Sequence, residues 1–523
     1  MESYPSIFND VIGPVMRGPS SSHCAASLRI GRICRDLMDG SLTHIRIEFD
    51  PNGSLATTHK SQGSDMGLFG GFLGWEAYDE RLPDSQRWLE EAGIQVEIVI
   101  TDIQATHPNT YKLILGNKTE AHTVTAISTG GGMIEVIEID GSEVFMAGDF
   151  YVTLIYCHYP DNVLEYIKEN FTYDQMIWHD GHRPFMEVRS QFPLEEVYCQ
   201  EMLSMEEVDS VRKLLPVLPI LSSGNMMIPF LTCADMLAYN EDKNLELWEL
   251  AAVYESMRGN ISVEEVKQKM LDIVRIMRGS IRNGLKGTEY ADRLLGSQSV
   301  YFKEQMERKK LIEGDVLNRI IMYVSAIMEV KSSMGVIVAA PTAGSCGALP
   351  GAVIGVGDSM GISEEKIVEA MLAAGILGVF ISKHATFAAE VGGCQAECGS
   401  GACMAAAAIV YLAGGSLSQS LSAASLSLQN SLGMICDPIA NRVEAPCLGK
   451  NVLAASNALS CANMALANYD HLIPLDEVIG AMDAVGHSIP HTLRCTNLGG
   501  LSITPTARQL ELKLEKLPNF KSC

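Results

Sequence analysis

A chain of 523 residues is too long for one hydrophobic core and implies two to four domains. Apolar residues at 47% and charged residues at 20% are ordinary for a globular protein and exclude extensive disorder. A net charge of −24 excludes a nucleic-acid partner, because no basic surplus exists to neutralise phosphates.

The first residues, Met1-Glu2-Ser3-Tyr4-Pro5, lack the basic and apolar regions of a secretory signal, so a cytoplasmic chain is expected. Ala25 to Met38 reads as an amphipathic helix, and Ile45 to Phe49 alternates like a half-buried strand. Val96 to Ile100, Lys112 to Leu115 and Met133 to Ile139 also read as strands, punctuated by Asn117, Gly141 and Ser142. Residues 1–147 therefore predict an N-terminal α/β sandwich-like domain. Residues 148–205 predict a strand at Tyr151 to Ile155, a helix at Val163 to Asn170 and a strand at Phe185 to Val188. That suits a small regulatory-type module or a mere connector.

From 206 to 523 the pattern turns helical. Helices are expected at 206–216, 229–239, 244–258, 262–284, 298–310 and 314–333. Between Cys394 and Ala462 the only charged residues are Glu397, Asp437, Arg442, Glu444 and Lys450. Helices apolar nearly all round belong in a domain interior, so a large all-α C-terminal domain follows, and the fold class is α+β. The apolar runs near 334–357, 370–382 and 401–413 are broken by Pro341 and Pro350 or too short for a bilayer, so no membrane contact is expected. Fourteen cysteines without a secretory signal predict thiols rather than disulfides. No Cys-x-x-Cys pair marks a structural zinc.

Five segments carry chemistry. Ser20-Ser21-Ser22-His23 precedes a helix; such a run can be an N-cap, or can hold a carboxylate with hydroxyls, N–H groups and an imidazole. Ala340 to Gly347 is a second loop of small residues, in which Thr342 and Gly344 would let a carboxylate approach backbone N–H groups. Glu390 to Glu397 sets two carboxylates and Cys394 in glycine-rich backbone. Cys436-Asp437-Pro438 and Ala445-Pro446-Cys447 put two further thiols beside prolines, which predicts rigid, non-helical backbone of the kind that carries iron–sulfur ligands. Three ligands instead of four leave one iron open, the mark of a catalytic metal site.

These segments resemble the iron–sulfur-dependent L-serine dehydratases. Gly18 to His23, Gly53-Ser54-Leu55-Ala56, His107-Pro108-Asn109-Thr110 and Gly130-Gly131-Gly132 are similar to the β-region of that family. Ala340-Pro341-Thr342, Ala389 to Gln395, Leu432-Gly433, Cys436-Asp437-Pro438, Pro446-Cys447 and Gly499-Gly500-Leu501 resemble its α-region, with the family's spacing of 42 and 11 residues between the cysteines. Residues of about 150–330 match loosely and resemble a degenerate form of the ACT module that some members carry. The resemblance implies a [4Fe–4S] cluster on Cys394, Cys436 and Cys447, and a C-terminal Cys523 that occupies the open iron until substrate displaces it. It also implies a small amino or hydroxy acid substrate, bound through Ser20, Ser21, Ser22, His23, Thr342 and Gly344. The reaction implied is elimination of water from L-serine to give pyruvate and ammonia, without pyridoxal phosphate.

Departures from the family surround this scaffold. The family's His-Gly-Thr-Asp, whose histidine serves as proton acceptor, is Gln62-Gly63-Ser64-Asp65 here, and an amide cannot take up that proton. Gln429-Asn430-Ser431, Leu448-Gly449-Lys450-Asn451 and Asn497-Leu498 also depart from the family's pattern. The expected acceptors are His107, then His384, then His59, the last set on the wrong face if its segment were a strand. His23 is assigned to the carboxylate, and Glu390, Glu397 and Lys60 stand behind the histidines. The rival readings are a cluster-dependent desulfidase, a dehydratase of another hydroxy acid, and an inactive cluster-bearing sensor. A homodimer is compatible with the chain.

Overall fold

A computed structural model of the chain describes residues 4–18, 21–60, 62–224, 226–290, 293–440, 442, 444–514 and 516. Contacts divide the chain into two units, Pro19–Met226, and Met1–Gly18 with Met227–Cys523.

In the first unit, Ser21–Leu37 is a helix, and its apolar face (Ala26, Ile30, Ile33, Leu37) enters the core. It packs against the helix Ser64–Phe72, where glycines permit close approach. A Cβ on Gly71 would lie 2.3 Å from the Leu28 carbonyl oxygen, and one on Gly67 would lie 2.1 Å from Ser27 Oγ. A six-stranded sheet runs in the order Gln95–Ile100, His44–Phe49, Thr110–Gly116, Ala121–Gly130, Met133–Ile139, Ser142–Met146. Only the first pair is parallel, as a crossover through helices requires. The strand Ala121–Gly130 escapes a hydrophobicity reading because its buried face carries His122, Val124, Ala126 and Ser128. His122 is fully buried, and its Nδ1 lies 2.7 Å from Asp140, which also accepts the Tyr156 hydroxyl at 2.7 Å.

Residues 151–214 make a complete βαββαβ module. Its strands lie in the order Val208–Leu214, Tyr151–Cys157, Phe185–Ser190, Gln175–His179, all antiparallel, with helices Asp161–Asn170 and Glu196–Leu203 on one face. Along Tyr151–Cys157, Val152, Leu154 and Tyr156 enter the core shared with the large sheet, whereas Ile155 and Cys157 meet Val163, Ile167 and Met202 of the helices. Val208–Leu214 corrects the helix expected at 206–216. Its valines fit a helical repeat, but pairing with Tyr151–Cys157 satisfies its backbone, so tertiary context overrides local preference. The sheet therefore continues past residue 205.

The second unit is helical, and residues up to Gly18 belong to it rather than to the α/β unit. Two glycines explain why. A Cβ on Gly375 would lie 2.6 Å from Ile7 Cγ2, and one on Gly378 would lie 2.0 Å from Val11 Cγ1. The N-terminal segment thus lies directly on the helix Glu364–His384. Glu255, fully buried, accepts the Ser6 hydroxyl at 2.5 Å and the Ile7 N–H at 2.7 Å. Val15–Arg17 pairs antiparallel with Val336–Val338. Glu364–His384 is long and apolar enough to cross a bilayer, which the shorter run 370–382 did not suggest; 83% of its apolar window is buried inside the protein. Ser400–Leu412 is buried almost throughout, and its run of alanines lets neighbouring helices close around it.

Candidate active site

The thiols gather in the helical unit. Cys394 sits between two short turns of helix, Ala389–Gly392 and Gln395–Gly399, and Cys436 lies on a loop. Cys447 corrects one expectation: it stands in the first turn of the 22-residue helix Ala445–Leu466, because proline is well tolerated at a helix start. All three are buried. The Cys436 thiol is in hydrogen-bonding contact with those of Cys394 and Cys495, and these contacts, with burial, push it well up. Burial, then the nearby Cys394, pushes the Cys447 thiol up, so a metal bound there would have to displace its proton. Cys398 is also held up, first by burial, then by Cys394, Glu397 and Cys447.

Among the described residues, no group of three or more His, Cys, Asp or Glu side chains could hold a single metal ion. The group that the resemblance implies is a [4Fe–4S] cluster, which Cys394, Cys436 and Cys447 would hold as thiolates. The donor set fits such a group in two respects. The thiols are buried together, and a cation lies among them to offset thiolate charge. The Lys450 ammonium donates to the Ile435 carbonyl at 2.7 Å and to Asp437. Desolvation alone would lower it, but Cys394, Asp437 and Cys436 together hold it above its ordinary value.

The small-residue loop is tied to this place by Asn451, fully buried. Its Nδ2 donates to the Gly344 carbonyl at 2.9 Å and the Cys447 carbonyl at 2.8 Å, and its Oδ1 accepts from Gly347 and Ala348 N–H at 3.2 and 2.9 Å. One of the chain's own carboxylates stands at this loop. Glu397 accepts the Thr342 hydroxyl at 2.6 Å, and a Cβ on Gly344 would meet its oxygens at 2.7 and 2.8 Å. Burial pushes the Glu397 carboxyl up to about 7, opposed by Thr342. Asn451 ends the segment Leu448-Gly449-Lys450-Asn451, whose sequence gives no sign of this role, and Cys495, just before the Gly499-Gly500-Leu501 motif, carries no sequence signal of its own.

In the α/β unit, His23 lies in the first turn of Ser21–Leu37, and burial lowers its imidazole below its ordinary value, which favours a neutral hydrogen-bonding ring. Ser22 is half-buried beside it. Ser20 and the side chain of Ser21 lie outside the described residues, as does Cys523.

His59 is not on a strand. It closes the one-turn helix Leu55–Thr58, stacks 5.2 Å from Phe49, and sets Nδ1 at 2.7 and 2.8 Å from the two oxygens of Asp65. An ionised carboxylate only accepts, so the proton sits on Nδ1 and the lone pair of Nε2 is left for a proton. His107 has the opposite arrangement. Its Nδ1 accepts the Asn109 N–H at 3.1 Å, so the neutral ring carries its proton on Nε2 and can donate there but not accept. His384 is exposed at the end of Glu364–His384, with Nε2 at 3.1 Å from the Leu231 carbonyl.

A family model described as serine dehydratase alpha chain matches residues 242–502. The chain is 36% identical over 285 residues to the probable L-serine dehydratase alpha chain of Bacillus subtilis, covering 54% of this chain and 95% of that one. The probable L-serine dehydratase beta chain of the same organism is 40% identical over 152 residues, 29% of this chain and 68% of the relative. The L-serine dehydratase of Helicobacter pylori is 26% identical over 499 residues, 93% of this chain and 96% of its own length.

Proposed function

We propose, since the chain belongs to the iron–sulfur-dependent L-serine dehydratase family of lyases, that it removes water from L-serine and releases pyruvate and ammonia. Cys394, Cys436 and Cys447 are the residues that would hold a [4Fe–4S] cluster. Bound there, the cluster supplies a Lewis acid for the substrate hydroxyl. The observation that supports this reading is the gathering of the three buried cysteines beside Lys450 in a nearly uncharged helical shell.

The remaining chemistry belongs to side chains. His59, with Asp65 fixing its Nδ1–H, rather than His107, accepts the α-proton at Nε2. Asp65 also stabilises the imidazolium that forms. His107, with its proton on Nε2, donates a hydrogen bond to developing negative charge. Neutral His23 and Ser22, at a helix N-terminus, hold the substrate carboxylate. Thr342 and Gly344 serve by seating Glu397.

Anaerobic reconstitution with iron and sulfide, followed by a product screen on serine, threonine and cysteine, tests the reading. Serine should give pyruvate and ammonia, and Cys394→Ala, Cys436→Ala and Cys447→Ala should each lose bound iron while Cys403→Ala keeps it. Sulfide from cysteine with no turnover of serine would make the chain a desulfidase. Full iron content in all three alanine variants would sink the ligand assignment.

A further inference from the structure

We propose that Cys436 and Cys495 are a redox pair, which closes as a disulfide when the chain is without iron and must be reduced before iron is taken up. The pair stands on its own geometry. Its effect on iron rests on the reading of Cys436 as a cluster ligand.

A parallel β-bridge fixes the two segments: the Cys436 N–H donates to the Leu493 carbonyl, and the Cys495 N–H donates to the Cys436 carbonyl, each at 2.9 Å. The Cys495 side chain packs against the cluster of Ala389, Cys394 and Cys436. Cys495 holds φ at +61°, a left-handed conformation uncommon for a residue other than glycine, asparagine or aspartate. The bridge holds it there, against Cys436.

Access sets the order of events. Among the described residues every other cysteine is buried, and Cys495 alone is partly exposed. A low-molecular-weight disulfide such as oxidised glutathione therefore reaches Cys495 first. The Cys495 thiolate attacks one glutathione sulfur, forms a mixed disulfide and releases one glutathione thiolate. Cys436, in contact, then attacks Cys495 Sγ, loses its proton to solvent and expels the second glutathione. The two protein thiols are oxidised, and one glutathione disulfide is reduced to two glutathiones. Cys394 also touches Cys436, but both are buried, at 1% and 3% exposure, so that pair offers no entry.

The test uses the full chain, stripped of iron anaerobically, treated with oxidised glutathione and mapped by peptide mass spectrometry. The expected product is a single cross-linked peptide pair carrying Cys436 and Cys495. Ferrous iron and sulfide should then be taken up only after reduction by dithiothreitol, whereas Cys495→Ser should take up iron without it. A Cys394–Cys436 cross-link, or free thiols at both Cys436 and Cys495, would overturn the pair, and mapping of the unsubstituted chain decides this without any variant. Undiminished iron uptake by the cross-linked chain would overturn the ligand reading of Cys436 and leave the pair intact.

Discussion

Asn451→Ala should destabilise the helical unit by about 4 kcal/mol or more. The side chain is fully buried and makes four hydrogen bonds to backbone, two to carbonyls at 2.8 and 2.9 Å and two from N–H groups at 2.9 and 3.2 Å. A hydrogen bond contributes about 1 kcal/mol net, and a buried partner left unsatisfied costs about 1–3 kcal/mol. Alanine orphans the carbonyls of Gly344 and Cys447 and the N–H groups of Gly347 and Ala348, and also opens a cavity, so the lower bound is roughly the sum of four such bonds. The assay is urea unfolding followed by circular dichroism, with Ser460→Ala as control. Ser460 is exposed and bonds only within its own helix, at 3.0 Å to Ser456, so the control should stay within about 0.5 kcal/mol. A loss for Asn451→Ala below about 1 kcal/mol would refute the argument that this amide holds the loop to the Cys447 helix.

His59→Asn should lower turnover by roughly 10²-fold or more with cluster content unchanged, and Asp65→Asn should follow it; His107→Gln should cost less. Equal losses at His59 and His107 in anaerobic kinetics would remove the tautomer argument. Gly344→Ala puts a methyl group against the Glu397 oxygens and should cost about 1–3 kcal/mol, most of it recovered in a Glu397→Ala background, as a double-mutant cycle of unfolding free energies would read. Burial, only partly offset by Arg258, Ser6 and Ile7 and reinforced by Asp10, holds the Glu255 carboxyl above its ordinary value of 4.5. A raised carboxyl favours the folded state while protonated, so its contribution is full below about 4.5 and is lost as pH rises through the folded value. The stability of the wild type relative to Glu255→Gln should therefore fall across a rising pH series, and a rising difference in urea midpoints would contradict it.

The sequence by itself determined what depends on neighbours along the chain. Alternation marked His44–Phe49 and Met133–Ile139, because one face of each is buried. Prolines, glycines and thiols marked the segments around Cys394, Cys436 and Cys447, although Cys447 itself stands in the first turn of a helix. Helical repeats marked Val263–Gly284 and Asp315–Ser332. Tertiary structure decided whatever depends on a partner remote in sequence. Val208–Leu214 is a strand because Tyr151–Cys157 lies beside it. Ala121–Gly130 is a strand although its buried face is partly polar, because Asp140 receives His122 there. Ser6 to Val11 belong with a helix beyond residue 360, because Gly375 and Gly378 leave room for Ile7 and Val11. Cys495 meets Cys436 across 59 residues of chain through one β-bridge. Which histidine can accept a proton was decided in the same way. The two rings are chemically alike, and only the partner of Nδ1, the Asp65 carboxylate for His59 or the Asn109 N–H for His107, determines which nitrogen keeps its lone pair.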